Sequence, residues 1–247
     1  MPNKVAQVTI YFWIMKICAT TLGETAGDLL SMTLNVGYLV SSLILIGFFL
    51  ATVVAQLGSR TFHPLLYWAV IVATSTAGTT MSDYMDRSLG LGYALGSTIL
   101  VSILAIILLV WRKVEGSLSV DHIGTRRAET FYWIAILTSN TLGTALGDYL
   151  ADSSGLGFLG GAALIGGLIA STAIVFYTTK ANRVILFWIA FVLTRPFGAT
   201  FGDLLTKPVA KGGLNLGTAG SSLVLLAILI AVLAFTIRRD RLASASA

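Results

Sequence analysis

A tryptophan recurs four times along this chain, at Trp13, Trp68, Trp133 and Trp188, separated by 55, 65 and 55 residues. Fifteen residues after each stands an aspartate: Asp28, Asp83, Asp148 and Asp203. Ten residues after each stands a glycine: Gly23, Gly78, Gly143 and Gly198. The residue before each aspartate is Gly27, Ser82, Gly147 or Gly202. A turn-like stretch then ends in Gly37, Gly92, Gly157 or Gly217, and a long apolar run follows. Such regularity marks four copies of one supersecondary unit that bury their apolar faces against one another.

The apolar runs identify the solvent. Of 247 residues, 56% are hydrophobic and 11% charged, with a mean hydropathy of +0.87; a soluble domain carries about a quarter charged residues. The runs at 37–57, 93–111, 158–177 and 221–237 are each long enough to cross a hydrocarbon core about 30 Å thick as a helix. Each unit therefore reads as helix, short turn, helix. The expected fold is all-α: one integral membrane domain over residues 1–247, with spans near 8–30, 38–57, 64–86, 93–112, 129–151, 158–178, 184–206 and 218–236. The repeats run approximately over 8–57, 63–112, 128–178 and 183–237, and the stretch 113–128 links the halves. Two spans per unit insert every copy in the same direction, so the copies are expected around an axis normal to the membrane, not as inverted repeats.

Basic residues give an orientation. Lys4, Arg60, Arg112, Lys113, Arg126, Arg127, Lys180, Arg183, Arg238, Arg239 and Arg241 fall on the side bearing both termini, and only Arg87, Lys207 and Lys211 on the other. The positive-inside rule places both termini in the cytoplasm of a multi-pass protein of the cell (inner) membrane, with the Gly-Asp segments toward the outer face. The net charge of +5 does not indicate nucleic-acid binding, because the basic residues sit at helix ends instead of forming a patch. Cys18 is the one cysteine, which excludes a disulfide framework or a multi-thiolate metal site. The first apolar stretch contains Lys16 and Glu24 and lacks a cleavage pattern, so it reads as a retained helix and not a signal peptide. His63 and His122 fall in cytoplasmic connections and read as solvated.

The Trp, Gly and Asp spacing resembles that of bacterial membrane proteins built from four tandem copies of a two-span repeat, a family of repeats of unknown function. The resemblance covers Tyr11 to about Ile237. It implies the architecture and no activity.

Positions four apart share a helix face. Counting back from each aspartate, the odd-numbered spans carry the ladders Lys16, Thr20, Glu24, Asp28; Ile71, Ser75, Thr79, Asp83; Ile136, Asn140, Thr144, Asp148; and Phe191, Arg195, Ala199, Asp203. The even spans show no such stripe. Odd helices are therefore expected to face one another inside, with even helices forming a lipid-facing shell. Charges within spans usually line an ion or substrate path. The bland alternatives are that Gly-Asp caps each helix, that Lys16, Glu24 and Arg195 form an internal salt-bridge set, and that the tryptophans anchor or pack. Lys16, Glu24 and Arg195 all belong to units 1 and 4, which a closed ring makes neighbours, so Glu24 is expected within reach of Arg195 or Lys16.

These residues favour a transporter or channel for a small inorganic cation, divalent or proton-coupled. The ion-binding candidates are Glu24, Asp28, Asp83, Asp148, Asp203, Thr20, Ser75, Thr79, Asn140 and Thr144. Glu24, Asp28 and Asp203 are the candidate metal ligands, and Lys16 and Arg195 the charge-balancing groups. Carboxylates, hydroxyls and an amide are hard oxygen ligands suited to Mg²⁺, Mn²⁺, Ca²⁺, Na⁺ or K⁺. Two alternatives stand beside this. One is a proton-coupled transporter of an anionic or small organic solute held by Arg195 and Lys16; the other is an intramembrane aspartyl enzyme, disfavoured by the glycine spacing. No enzyme activity and no cofactor are expected. The partners expected are a small ion or solute, the lipid bilayer and further copies of the chain in a homo-oligomer, with no nucleic acid.

Overall fold

The computed structural model describes residues 4–120, 123 and 125–245; His122 lies outside them. Among the described residues there are eight α-helices and no strand: α1 Ile10–Asp28, α2 Tyr38–Gly58, α3 Pro64–Asp83, α4 Tyr93–Glu115, α5 Arg126–Asp148, α6 Gly157–Thr178, α7 Arg183–Thr206 and α8 Thr218–Ala245. Local chemistry explains where the odd helices begin. The Thr9 hydroxyl accepts from the Phe12 amide at 3.3 Å, Thr125 from Ala128 at 3.0 Å, and Asn182 from Val184 at 2.9 Å. Each satisfies an otherwise orphaned N–H of a first turn. Pro64 opens α3, where its missing N–H costs nothing.

The odd helices of units 1 to 3 leave the aspartate through a single wide π turn, at Leu29–Thr33, Tyr84–Ser88 and Tyr149–Ser153. The Leu34, Leu89 and Ser154 amides each bond the carbonyl five residues back at 2.9 Å. In unit 4, Pro208 ends this possibility, and the chain departs at Lys207 in an extended conformation. The four turns then converge. Asn35, Gly90, Gly155 and Asn215 all have positive φ, as do Gly37, Gly92, Gly157 and Gly217 two residues later. The L-N-x-G and G-L-G variants are thus two solutions to one left-handed backbone requirement.

The odd helices close into a ring, α1 against α3, α3 against α5, α5 against α7 and α7 against α1. Each even helix lies on the odd helix of the following unit: α2 on α3, α4 on α5, α6 on α7, and α8 back on α1. A backbone contact sets the ring's radius. Gly23 lies against Ser75, Gly78 against Asn140, Gly143 against Arg195 and Gly198 against Thr20. The glycine five before each aspartate therefore receives the residue eight before the next one, in cyclic order. A Cβ on Gly78 would sit 2.9 Å from the Asn140 carbonyl carbon and the Thr141 amide nitrogen, and one on Gly198 2.7 Å from the Thr20 carbonyl carbon.

The outer helices present broad apolar surfaces, as at Leu43, Ile44, Phe48, Leu50 and Val54 of α2. Helices α2, α4, α6, α7 and α8 are long and apolar enough to cross a membrane. The chain is a multi-pass helical membrane protein. Helices α1, α3 and α5 are less apolar because their polar ladders face inward, where Thr20, Ser75, Thr79, Asn140 and Thr144 are all fully buried.

The described part of the 113–128 stretch that links the halves packs on the bundle: the Leu118 carbonyl accepts from the Trp188 indole at 3.0 Å, and Val120 and Ile123 are buried. One sequence expectation changes in detail. Lys4, counted among the topology-setting loop charges, is buried. Its ammonium lies 2.5 Å from Glu129 at the start of α5, and Gln56 of α2 bonds the same carboxylate at 3.2 Å.

The glycine contacts make a prediction. Gly78→Ala should force α3 and α5 apart and cost about 1–3 kcal/mol, lowering the apparent melting temperature in detergent by on the order of 5 °C. Gly47→Ala, on the open face of α2 with nothing within 4 Å, should leave it unchanged or raise it.

Candidate functional site

The ladders stack into layers inside the ring, about 6 Å apart for each four residues of helix. At the end nearer the termini the ring is filled by aromatic side chains. Phe12, Tyr67, Trp68, Tyr132, Trp133, Trp188 and Phe191 are buried there, and the Tyr67 and Tyr132 hydroxyls meet at 2.6 Å. Three of the four repeat tryptophans, Trp68, Trp133 and Trp188, are thus buried in packing contacts. Cys18, half-buried, packs beside this cluster.

The next layer holds Lys16 alone among polar side chains. It is fully buried, with its ammonium 4.0 Å from the centre of the Phe191 ring and no hydrogen-bond partner among the described residues. Lys16 therefore does not pair with an acid, contrary to the charge-balancing role the ladder suggested, because the facing positions of the other helices are Ile71, Ile136 and Phe191.

Arg195 and Glu24 occupy the middle. Arg195 Nη1 donates to Glu24 Oε2 at 3.1 Å across the α7–α1 boundary. Its Nη2 donates to the Thr144 hydroxyl at 2.7 Å and to the Thr79 hydroxyl, and both hydroxyls also lie near Glu24 Oε2, at 3.3 and 3.4 Å. One ion pair thereby ties all four inner helices together. The expected contact between Glu24 and Arg195 is present. Gly143 makes it feasible, since any side chain there would collide with the Arg195 stem. Thr20 turns away to bond the Thr194 carbonyl at 3.1 Å, and Asn140 donates to Thr74 at 2.9 Å. The Ser75 hydroxyl, the Asn140 Oδ1 and the Arg195 Nε are buried with no hydrogen-bond partner among the described residues.

The last layer is the four aspartates, each at most 3% exposed. Asp28, Asp83 and Asp148 make no capping hydrogen bond to the turn that follows. They are held in pairs by two cations that the sequence placed in outer loops. Arg87 lies 3.1 Å from Asp83 and 2.9 Å from Asp148; Lys207 lies 3.1 Å from Asp203 and 2.6 Å from Asp28. Both cations stand four residues after their own aspartate and reach to the next helix of the ring, so the clamps repeat after half a turn. Topology counting missed them because it treats a charge past a span as solvated. The i to i+4 spacing from Asp83 and Asp203 was the available signal. Burial alone would lower the Lys207 pKa, but Asp203 and Asp28 more than reverse this and hold it above the ordinary lysine value.

The Glu24, Asp28 and Asp203 carboxylates converge, with one oxygen of each within 4.8 Å of the others, all buried. The clamps also differ. The Arg87 guanidinium lies between the rings of Tyr38 and Tyr93, at 5.9 and 5.7 Å, and donates to the Tyr38 hydroxyl at 3.2 Å. Phe158 and Thr218 occupy the corresponding sequence positions in units 3 and 4, and the polar contacts of the Lys207 ammonium among the described residues are its two aspartates and the Met32 sulfur at 3.8 Å.

The family model described as Repeat of Unknown Function (DUF347) matches the chain four times, over residues 11–62, 66–117, 131–182 and 186–241. The chain belongs to that family. No match was found among curated proteins or among solved structures.

The central pair is testable by stability alone. Arg195→Gln strands Glu24 in a buried site and should cost about 3–5 kcal/mol, an apparent melting-temperature loss on the order of 10 °C. Glu24→Gln combined with Arg195→Gln should recover at least half of that loss, read by thermal unfolding in the same detergent. A double variant no more stable than Arg195→Gln alone would show that the two side chains act independently.

Proposed function

We propose that this member of the repeat family transports a small inorganic cation across the cell membrane, at a site built on Glu24, Asp28 and Asp203. The observation that carries this is three converging buried carboxylates, from two helices of the ring, at the end reached past a lysine. Buried carboxylates within a membrane bundle are costly and usually mark a path, and here they meet beside Lys207, whose side chain is 19% exposed. Oxygen donors alone favour a hard cation. A gated transporter fits better than an open pore, because aromatic side chains fill the ring at one end and ion clamps cross it at the other.

An anionic solute held by Arg195 and Lys16 has less support. Arg195 is engaged by Glu24, Thr79 and Thr144, and Lys16 is enclosed behind it. The eight helices are read as eight spans with both termini cytoplasmic, following the distribution of basic residues.

Two experiments test this reading. In proteoliposomes loaded with a cation-sensitive dye, Asp28→Asn should lower flux at least tenfold while Lys207 stays paired with Asp203 and the fold persists. Asp83→Asn, at the tyrosine-bracketed clamp, should lower it far less. Equal flux in wild type and Asp28→Asn would remove the site from the mechanism. For orientation, a membrane-impermeant maleimide applied to intact cells should label Lys211→Cys and not Arg60→Cys, both placed in a Cys18→Ser background; the reverse pattern would invert the topology.

A further inference from the structure

We infer that the Lys207 ammonium is a built-in competitor for the transported ion, and that the ion which replaces it is a divalent cation. This rests on reading Glu24, Asp28 and Asp203 as the transport site, and it adds how that site is kept filled and what charge it accepts.

The ammonium sits in the site itself. Its nitrogen is 2.6 Å from Asp28 and 3.1 Å from Asp203, and hard cations bind carboxylate oxygens at about 2.0–2.6 Å. Lysine and metal ion therefore exclude each other.

Comparison with the other half of the ring shows why this cation, and not Arg87, is the one that leaves. Arg87 is a planar fork that donates to Asp148 and to the Tyr38 hydroxyl, lies 3.1 Å from Asp83 and is flanked by the Tyr38 and Tyr93 rings. Such a fork loses several directional contacts together if it moves. Lys207 is a point charge on a flexible stem. Phe158 and Thr218 replace the two tyrosines, and the backbone beneath it is extended and followed by Pro208, outside any helix. Both cations stand between their aspartates and the surface: the Lys207 side chain is 19% exposed and that of Arg87 25%, against 1–4% for the four aspartates.

Charge balance then sets the ligand class. Arg195 neutralises Glu24, and Arg87 serves Asp83 and Asp148. When Lys207 withdraws, Asp28 and Asp203 are left with two negative charges; a monovalent cation returns only the single charge that Lys207 supplied, and a divalent one neutralises both. An uncompensated buried charge is strongly unfavourable, so the lysine returns when the ion departs, and the site avoids standing open with both acids bare.

Purified protein in detergent, titrated with Mn²⁺ and followed by calorimetry and by loss of the free-ion paramagnetic resonance signal, tests this. Lys207→Gln should bind Mn²⁺ at least tenfold more tightly than wild type, Lys207→Arg at least tenfold more weakly, and Arg87→Gln no more tightly than wild type. Adding Asp28→Asn to Lys207→Gln should abolish the gain. Should Lys207→Gln fail to fold, Lys207→Arg decides, since it preserves the charge; wild-type affinity in that variant would overturn the proposal. Wild type and Lys207→Gln binding equally would overturn the competitor while leaving the ion site standing. No Mn²⁺ binding by either protein would overturn the competitor and the site together. Preferential binding of Na⁺ over Mn²⁺ by Lys207→Gln would overturn the divalent assignment.

Discussion

The ring depends on four places where a helix backbone has no side chain between it and its neighbour. At Gly23, Gly78, Gly143 and Gly198 the next inner helix comes close enough that a methyl group would collide with it. Small residues at such crossings let helices pack in a bilayer, where lipid removes the usual hydrophobic incentive for association. The close approach also decides what the interior can contain. Hydroxyls serve well: Thr79 reaches the Gly23 carbonyl at 3.1 Å, and Thr20 the Thr194 carbonyl at 3.1 Å. Those short side chains are what made the ladders polar in the sequence. A long charged group fits only where a glycine clears its path, as Gly143 does for Arg195.

Much of this was legible in advance, for physical reasons. A fixed spacing of Trp, Gly and Asp forces equivalent positions into equivalent environments, so the register of the ladders and the neighbourhood of units 1 and 4 followed from counting. Glu24 and Arg195 were found together because unpaired charges in spans are expensive. The aspartates were harder to read. A Gly-Asp at a helix end is compatible with a cap, and only the wide turns after α1, α3 and α5 show that the carboxylates point inward instead. Lys207 and Arg87 were invisible as site residues because the rule that gave the topology assigns charges beyond a span to water. The tryptophans were ambiguous for a related reason: hydropathy locates a residue along a helix and says little about which side of it faces lipid.

The four copies make a two-fold object as much as a four-fold one. Cations follow the aspartate by four residues only in units 2 and 4, so the clamps relate by half a turn. Within that half-turn symmetry the two clamps diverge through single positions just after the turn glycine, Tyr38 and Tyr93 on one side and Phe158 and Thr218 on the other. The unequal pair of acids that results, with Glu24 one turn below Asp28 and Asp203, lies where the first and last units meet. An architecture that repeats its backbone can thus concentrate its chemistry in one quadrant by changing a handful of side chains.

The junction between first and last units has a consequence for biosynthesis. Glu24 and the arginine that neutralises it are separated by 171 residues. At about 5–20 residues per second, the ribosome delivers Arg195 roughly ten to thirty seconds after Glu24. During that interval α1 exists with both Lys16 and Glu24 and without the helix that encloses them. An unneutralised charge within a span is costly, so α1 carries that cost until α7 arrives to close the ring. The charge that organises the finished interior is therefore one that the first helix must carry unpaired until late in synthesis.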